Sequence, residues 1–154
     1  MRFHRVREVI EWAVRTHEQL AHDYDGLHRQ CTDERTKMAL RYLAEHERQM
    51  QAALSRYLAD AGAHRNVLDT WFDDGTEFPH PALIARLCDA VGDKAVTDLL
   101  ANALAIHKTM EDLYRHRAEG APIGDERDFF AALAASHEAE TRRLVRDMAR
   151  LDAT

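Results

Sequence analysis

Two stretches of this chain carry the same spaced pair of side chains, and that repetition restricts the fold more than any other feature. His17 is followed by Tyr24, and His107 by Tyr114, each seven residues on. A second match follows: His46-Glu47 and His137-Glu138, with His46 29 residues after His17 and His137 30 after His107. Seven residues are about two turns of α-helix, so each His and its Tyr share one face. The pattern predicts two helical hairpins of one layout, each bringing two imidazoles to one height. Docked as one bundle, they gather four imidazoles in its middle. Burying that many polar rings is costly unless they bind a ligand or satisfy one another.

The apolar spacing supports four long helices. Residues 4–31 carry the stripe Ile10, Val14, His17, Leu20, Tyr24 and Leu27, and residues 34–60 the stripe Ala39, Leu43, His46, Met50, Leu54 and Tyr57. Steps of three and four are those of one helix face. Thr32-Asp33 ends the first helix and caps the second, and Gly62 ends that one. A turn this short makes the pair antiparallel. Asp73-Asp74-Gly75, Pro79 and Pro81 mark breaks, followed by a short helix over 81–91 ended at Gly92. Asp93 caps a third long helix over 93–119, with Val96, Leu100, Ala103, His107, Met110 and Tyr114 on one face. Gly120 to Gly124 is a loop, and Asp125 caps a fourth helix over 126–150, striped by Phe130, Leu133, His137, Leu144 and Met148. A helix this long spans about 40 Å, and the connector between the two hairpins is long enough to cross over that length. The expectation is an all-α four-helix bundle, one domain over residues 1–154, with a long crossover that contains a short helix and with no β-sheet.

Composition agrees and excludes other classes. Gly and Pro number only 6 and 3 and charged residues reach 31%, a mixture that favours helix. The net charge of −6 argues against nucleic-acid binding, and Arg142, Arg143 and Arg146 are interleaved with acids. No apolar run approaches the roughly 20 residues of a membrane span, and Met1 to Arg5 does not resemble a signal peptide. A cytoplasmic location is the default expectation. Cys31 and Cys88 form no CxxC pair and are expected as reduced thiols.

Four long helices, short turns within the hairpins and one long crossover resemble the ferritin-like superfamily, and most of all its rubrerythrin-type members. There the first and third helices carry a Glu ligand with a Tyr seven residues on. Tyr24 and Tyr114 match the tyrosines, while His17 and His107 stand in the Glu places. The second and fourth helices of that family carry ExxH after an apolar stretch. Here Phe130 to Ala134 leads to His137, with Glu140 three residues on, and Tyr42-Leu43-Ala44 leads to His46, with Gln49 three on. No ExxH occurs at either place: moving one residue along gives Glu47 with Met50, and Glu138 with Thr141. The cysteine-rich electron-transfer module of rubrerythrins is absent from the sequence. Hemerythrin-like proteins are a second comparison, on the HxxxE spacing of His107 and Glu111, and rank below the first.

Taken with the resemblance, the matched histidines lead to the expectation of a metal-binding protein, iron foremost, with a His-rich centre in the bundle core that could carry oxidative chemistry. The candidate ligands are His17, His46, His107 and His137. Glu111 shares a face with His107 and Glu140 with His137, so either could add a carboxylate. Glu18, Glu47 and Glu138 lie about 100° round from their neighbouring His and either reach the gaps between helices or face water. The alternative is a metal-free bundle in which the four rings satisfy one another with Tyr24, Tyr114 and Gln49, and which works as a homodimer. Trp71-Phe72 then either staples the connector to the bundle or anchors the dimer contact. His4, His22, His28, His64, His80 and His116 show no comparable pattern and are expected on the surface or in loops.

Overall fold

The computed structural model describes residues 2–59, 65–72, 78–89, 96–121 and 124–153. The chain divides into two compact units, residues 2–77 and residues 78–154 together with Met1. Among the described residues every regular element is a helix, and none is long and apolar enough to cross a membrane.

In the first unit, helix α1 (Val6–Gln30) packs along α2 (Glu34–Ala59), and a single-turn helix α3 (Arg65–Leu68) follows. The buried residues Val6, Ile10, Ala13, His17, Leu20 and Tyr24 of α1 advance by alternating steps of four and three. That step keeps a residue on one side of a helix with 3.6 residues per turn. On α2 the buried run Ala39, Leu43, Glu47, Met50 and Leu54 also advances by steps of three and four. α1 begins where Glu8 Oε2 accepts the backbone N–H groups of His4 and Arg5 at 2.8 and 2.6 Å. Those are donors a helix start leaves unsatisfied. α2 is capped as expected: Asp33 Oδ2 accepts the Thr36 backbone N–H at 2.9 Å and its hydroxyl at 2.7 Å. Trp71-Phe72 is a staple within this unit. The Phe72 N–H donates to His4 O at 2.9 Å, the Val6 N–H to Thr70 O at 3.1 Å, and Arg5 and Trp71 form an isolated bridge.

In the second unit, α4 (His80–Asp89) packs on α5 (Val96–Gly120), and α5 packs along α6 (Gly124–Ala153). Leu99, Ala103, Ile106, Met110, Leu113 and Tyr114 fill the inner side of α5, and Phe130, Leu133, Ala134, Leu144 and Met148 that of α6. The turn between them is fastened by a buried ion pair, Arg117 Nε to Glu126 Oε1 at 2.8 Å.

Where the expected helix limits fall on described residues they hold to within about three residues; the expected limits at 60, 91 and 93 lie outside the described residues. α6 starts at Gly124, which places Asp125 in the first turn instead of at the cap. α3 and the Arg5–Trp71 bridge were not foreseen. The expected turn at Asp73-Asp74-Gly75, the stops at Gly62 and Gly92 and the cap at Asp93 lie outside the described residues. Cys31 is a free thiol; the Cys88 side chain lies outside the described residues.

Candidate metal centre

Each unit carries a buried pair of polar side chains across its two long helices. In the first, His17 Nδ1 lies 2.5 Å from Glu47 Oε2, with both side chains fully enclosed. An ionised carboxylate only accepts hydrogen bonds. The bond therefore puts the proton of a neutral His17 ring on Nδ1 and its lone pair on Nε2. A carboxylate behind the ring is also what orients histidine ligands in metalloproteins. His46 is buried next to Glu47, and its ring stacks on Tyr42 with centroids 6.3 Å apart. Tyr24 is fully buried.

In the second unit His107 and His137 face each other, ring centroids 5.2 Å apart and tilted by 49°. Two imidazoles sharing one ion hold their centres roughly 5–6 Å apart, given metal–nitrogen bonds of about 2 Å. Tyr114 stands edge-on to His137 at 5.8 Å and stacks on Phe130. Its hydroxyl is enclosed without a hydrogen-bond partner among the described residues, and burial pushes its pKa well above the ordinary phenol value.

The four expected histidines are thus all buried, in the two units separately. The two expected carboxylates are held by cations. Glu111 is buried, but its oxygens lie 2.8 Å from Lys108 Nζ and 3.6 Å from Arg115. Glu140 is partly exposed and lies 3.5 Å from Arg143. Glu18 and Gln49 are exposed, and Glu138 bonds Arg115 and Arg142 at the surface.

Glu47 is the residue the sequence reading placed least well. The two pairs align without a gap: His17 and His107, Tyr24 and Tyr114, and Glu47 and His137 are each ninety positions apart. The counterpart of His137 is therefore Glu47 and not His46. The spacing of 30 between His107 and His137, applied to His17, lands on it.

In kind, neutral imidazoles with one buried carboxylate fit an ion such as iron or zinc. They do not make the carboxylate-rich shell of a di-iron pair, since Glu111 and Glu140 are engaged elsewhere. Among the described residues no three His, Cys, Asp or Glu side chains are grouped to hold one ion as they stand.

No protein-family model matches the chain, and no curated protein matches its sequence. Among solved structures it is similar to a Thermotoga maritima protein described as a candidate ferritin-like diiron-carboxylate protein. The TM-score is 0.55 at 21% identity, over 95% of this chain and 96% of that one. A match of that extent establishes the architecture: this chain has the all-α, ferritin-like helical-bundle fold.

Proposed function

We propose that this ferritin-like protein binds a transition-metal ion, iron first, through its buried histidines. The candidate ligands in this reading are His17 and His46 in the first unit and His107 and His137 in the second. Glu47 is the carboxylate that sets the His17 tautomer or joins the shell. The observation that carries the reading is the fully enclosed His17–Glu47 bond of 2.5 Å, at the places in the first unit that His107 and His137 hold in the second. Polar groups in a helical core lower stability unless bonded or ligated. The diiron-carboxylate description of the Thermotoga maritima protein points to the same metal.

A bound iron would supply oxidative chemistry. The chain's own part is to hold Nε2 of His17 as the donor atom and to keep the Tyr114 hydroxyl protonated in its enclosed place. Elemental analysis of untagged protein, followed by anaerobic Fe²⁺ titration of the metal-free form, tests the reading. Stoichiometric uptake that His107→Ala or His137→Ala abolishes supports it. Failure of the intact protein to take up iron, zinc or any other transition metal overturns it.

A second reading is a metal-free bundle that works as a homodimer. It is favoured by the same bond, through which His17 and Glu47 already satisfy each other, and by Trp71. That ring is 60% exposed and backed by the Arg5 guanidinium 4.6 Å from its centroid. Sedimentation of wild type and Trp71→Ala separates the cases: a dimer lost in the variant supports this reading, and a wild-type monomer ends it.

A further inference from the structure

Away from the buried pairs, two further histidines meet. His80 is the first residue of α4, and His116 lies near the end of α5. Their ring centroids are 5.7 Å apart with planes at 45°. Nothing in the sequence pairs them, since 36 residues separate them; the packing of α4 on α5 does. We propose that His80 and His116 form a surface site for a divalent transition-metal ion of zinc type, which ties α4 to α5.

Four observations carry this. The ring separation is in the range of roughly 5–6 Å that two imidazoles keep when they share an ion. His80 is half-buried, and its Nδ1 is enclosed with no hydrogen-bond partner among the described residues. An isolated ring in that setting has a polar atom that ligation or a bridging water would satisfy. Phe78, buried, meets His116 edge-on at 6.1 Å, so one side of the cluster is apolar and fixed. Burial and the neighbouring His116 hold His80 below the ordinary imidazole value, which leaves the neutral, ligating form dominant at neutral pH. Asp112 acts the other way and favours positive charge at His80. It sits one helical turn before His116, on the same side of α5, with its carboxylate 3.2 Å from Lys108. The Asp112 carboxylate is therefore near enough to act on a cation between the rings. Exposed ion pairs such as Lys108–Asp112 hold only weakly, so Asp112 is available to turn toward the ion. Two protein donors leave the remaining positions to water, a site of modest affinity open to solvent.

The test is local, so that metal at other histidines does not confuse it. Zn²⁺ is titrated into the intact protein and into His80→Ala and His116→Ala, and the imidazole resonances of the two rings are followed by NMR. In the wild type both rings are expected to shift together at one zinc midpoint. In each variant the surviving ring is expected to need at least about tenfold more zinc, because it loses the second donor on the same framework. His116 is exposed, so its variant keeps the fold in place. Separate midpoints for the two rings, or a smaller shift in the His116→Ala variant, would mean two independent histidines and would overturn the site.

Discussion

Glu47 faces His17 across the first hairpin from the position that His137 holds opposite His107 in the second. One place in the repeat is thus an acid in one copy and an imidazole in the other, and the stability of the first hairpin depends on that acid.

His17→Leu or Glu47→Leu alone should each cost about 3–5 kcal/mol, the range for breaking a buried polar pair. The double variant should cost clearly less than the sum, because the bond is lost only once and apolar packing replaces it. Urea unfolding of the four proteins of this cycle gives the coupling. Additive losses would show that the 2.5 Å contact contributes nothing.

Arg117 and Glu126 form another enclosed ion pair, 2.8 Å apart, between the end of α5 and the start of α6. Arg117→Met should lower stability by about 3–5 kcal/mol and Arg117→Met with Glu126→Leu by less. A hydrogen-exchange comparison should place the new protection loss at the ends of these two helices.

Tyr114→Phe removes an enclosed hydroxyl without a partner among the described residues. The change should leave stability unchanged or raise it, by up to about 1 kcal/mol. Thermal unfolding measures it, and a clear loss would reveal a bond to that oxygen.

Asp33 is held below its ordinary value of 3.8 by its hydrogen bonds to the Thr36 side chain and backbone. A carboxyl with a depressed folded pKa adds stability above its unfolded pKa and loses that contribution as pH falls through the folded one. Asp33→Ala should therefore lower the urea midpoint at neutral pH. The gap to wild type should close as pH is taken below 3.8. A gap that stays constant into strong acid would contradict the cap.

Most of the fold was legible because helix periodicity reads directly on burial. The stripes of α1 and α2 name the middle of each buried face, Ile10, His17, Leu20 and Tyr24 on one and Ala39, Leu43, His46, Met50 and Leu54 on the other, and Asp33 is the cap its place implies. The candidate site was legible less evenly. The buried side of a helix is more than 100° wide, so neighbours such as His46 and Glu47 can both turn inward. A stripe cannot say which of them meets a given partner on the next helix. Nor does a face position show where a carboxylate's charge is spent: Glu111 lies on the side of His107, yet Lys108 and Arg115 hold it. His80 and His116 could not be paired from sequence at all, since only the docking of α4 makes them neighbours.

Asp25 meets Arg48 in the first hairpin, and Arg115 meets Glu138 in the second, at positions again ninety apart. The signs are exchanged. Both pairs are half-exposed and contribute little to stability. A chain built twice on one spacing faces a different hazard while it folds, since a first helix can seize the second helix of the other hairpin. That error would set Asp25 against Glu138 and Arg115 against Arg48. At those places the exchanged charges would disfavour the swapped partner, by the small amount that half-exposed charges exert.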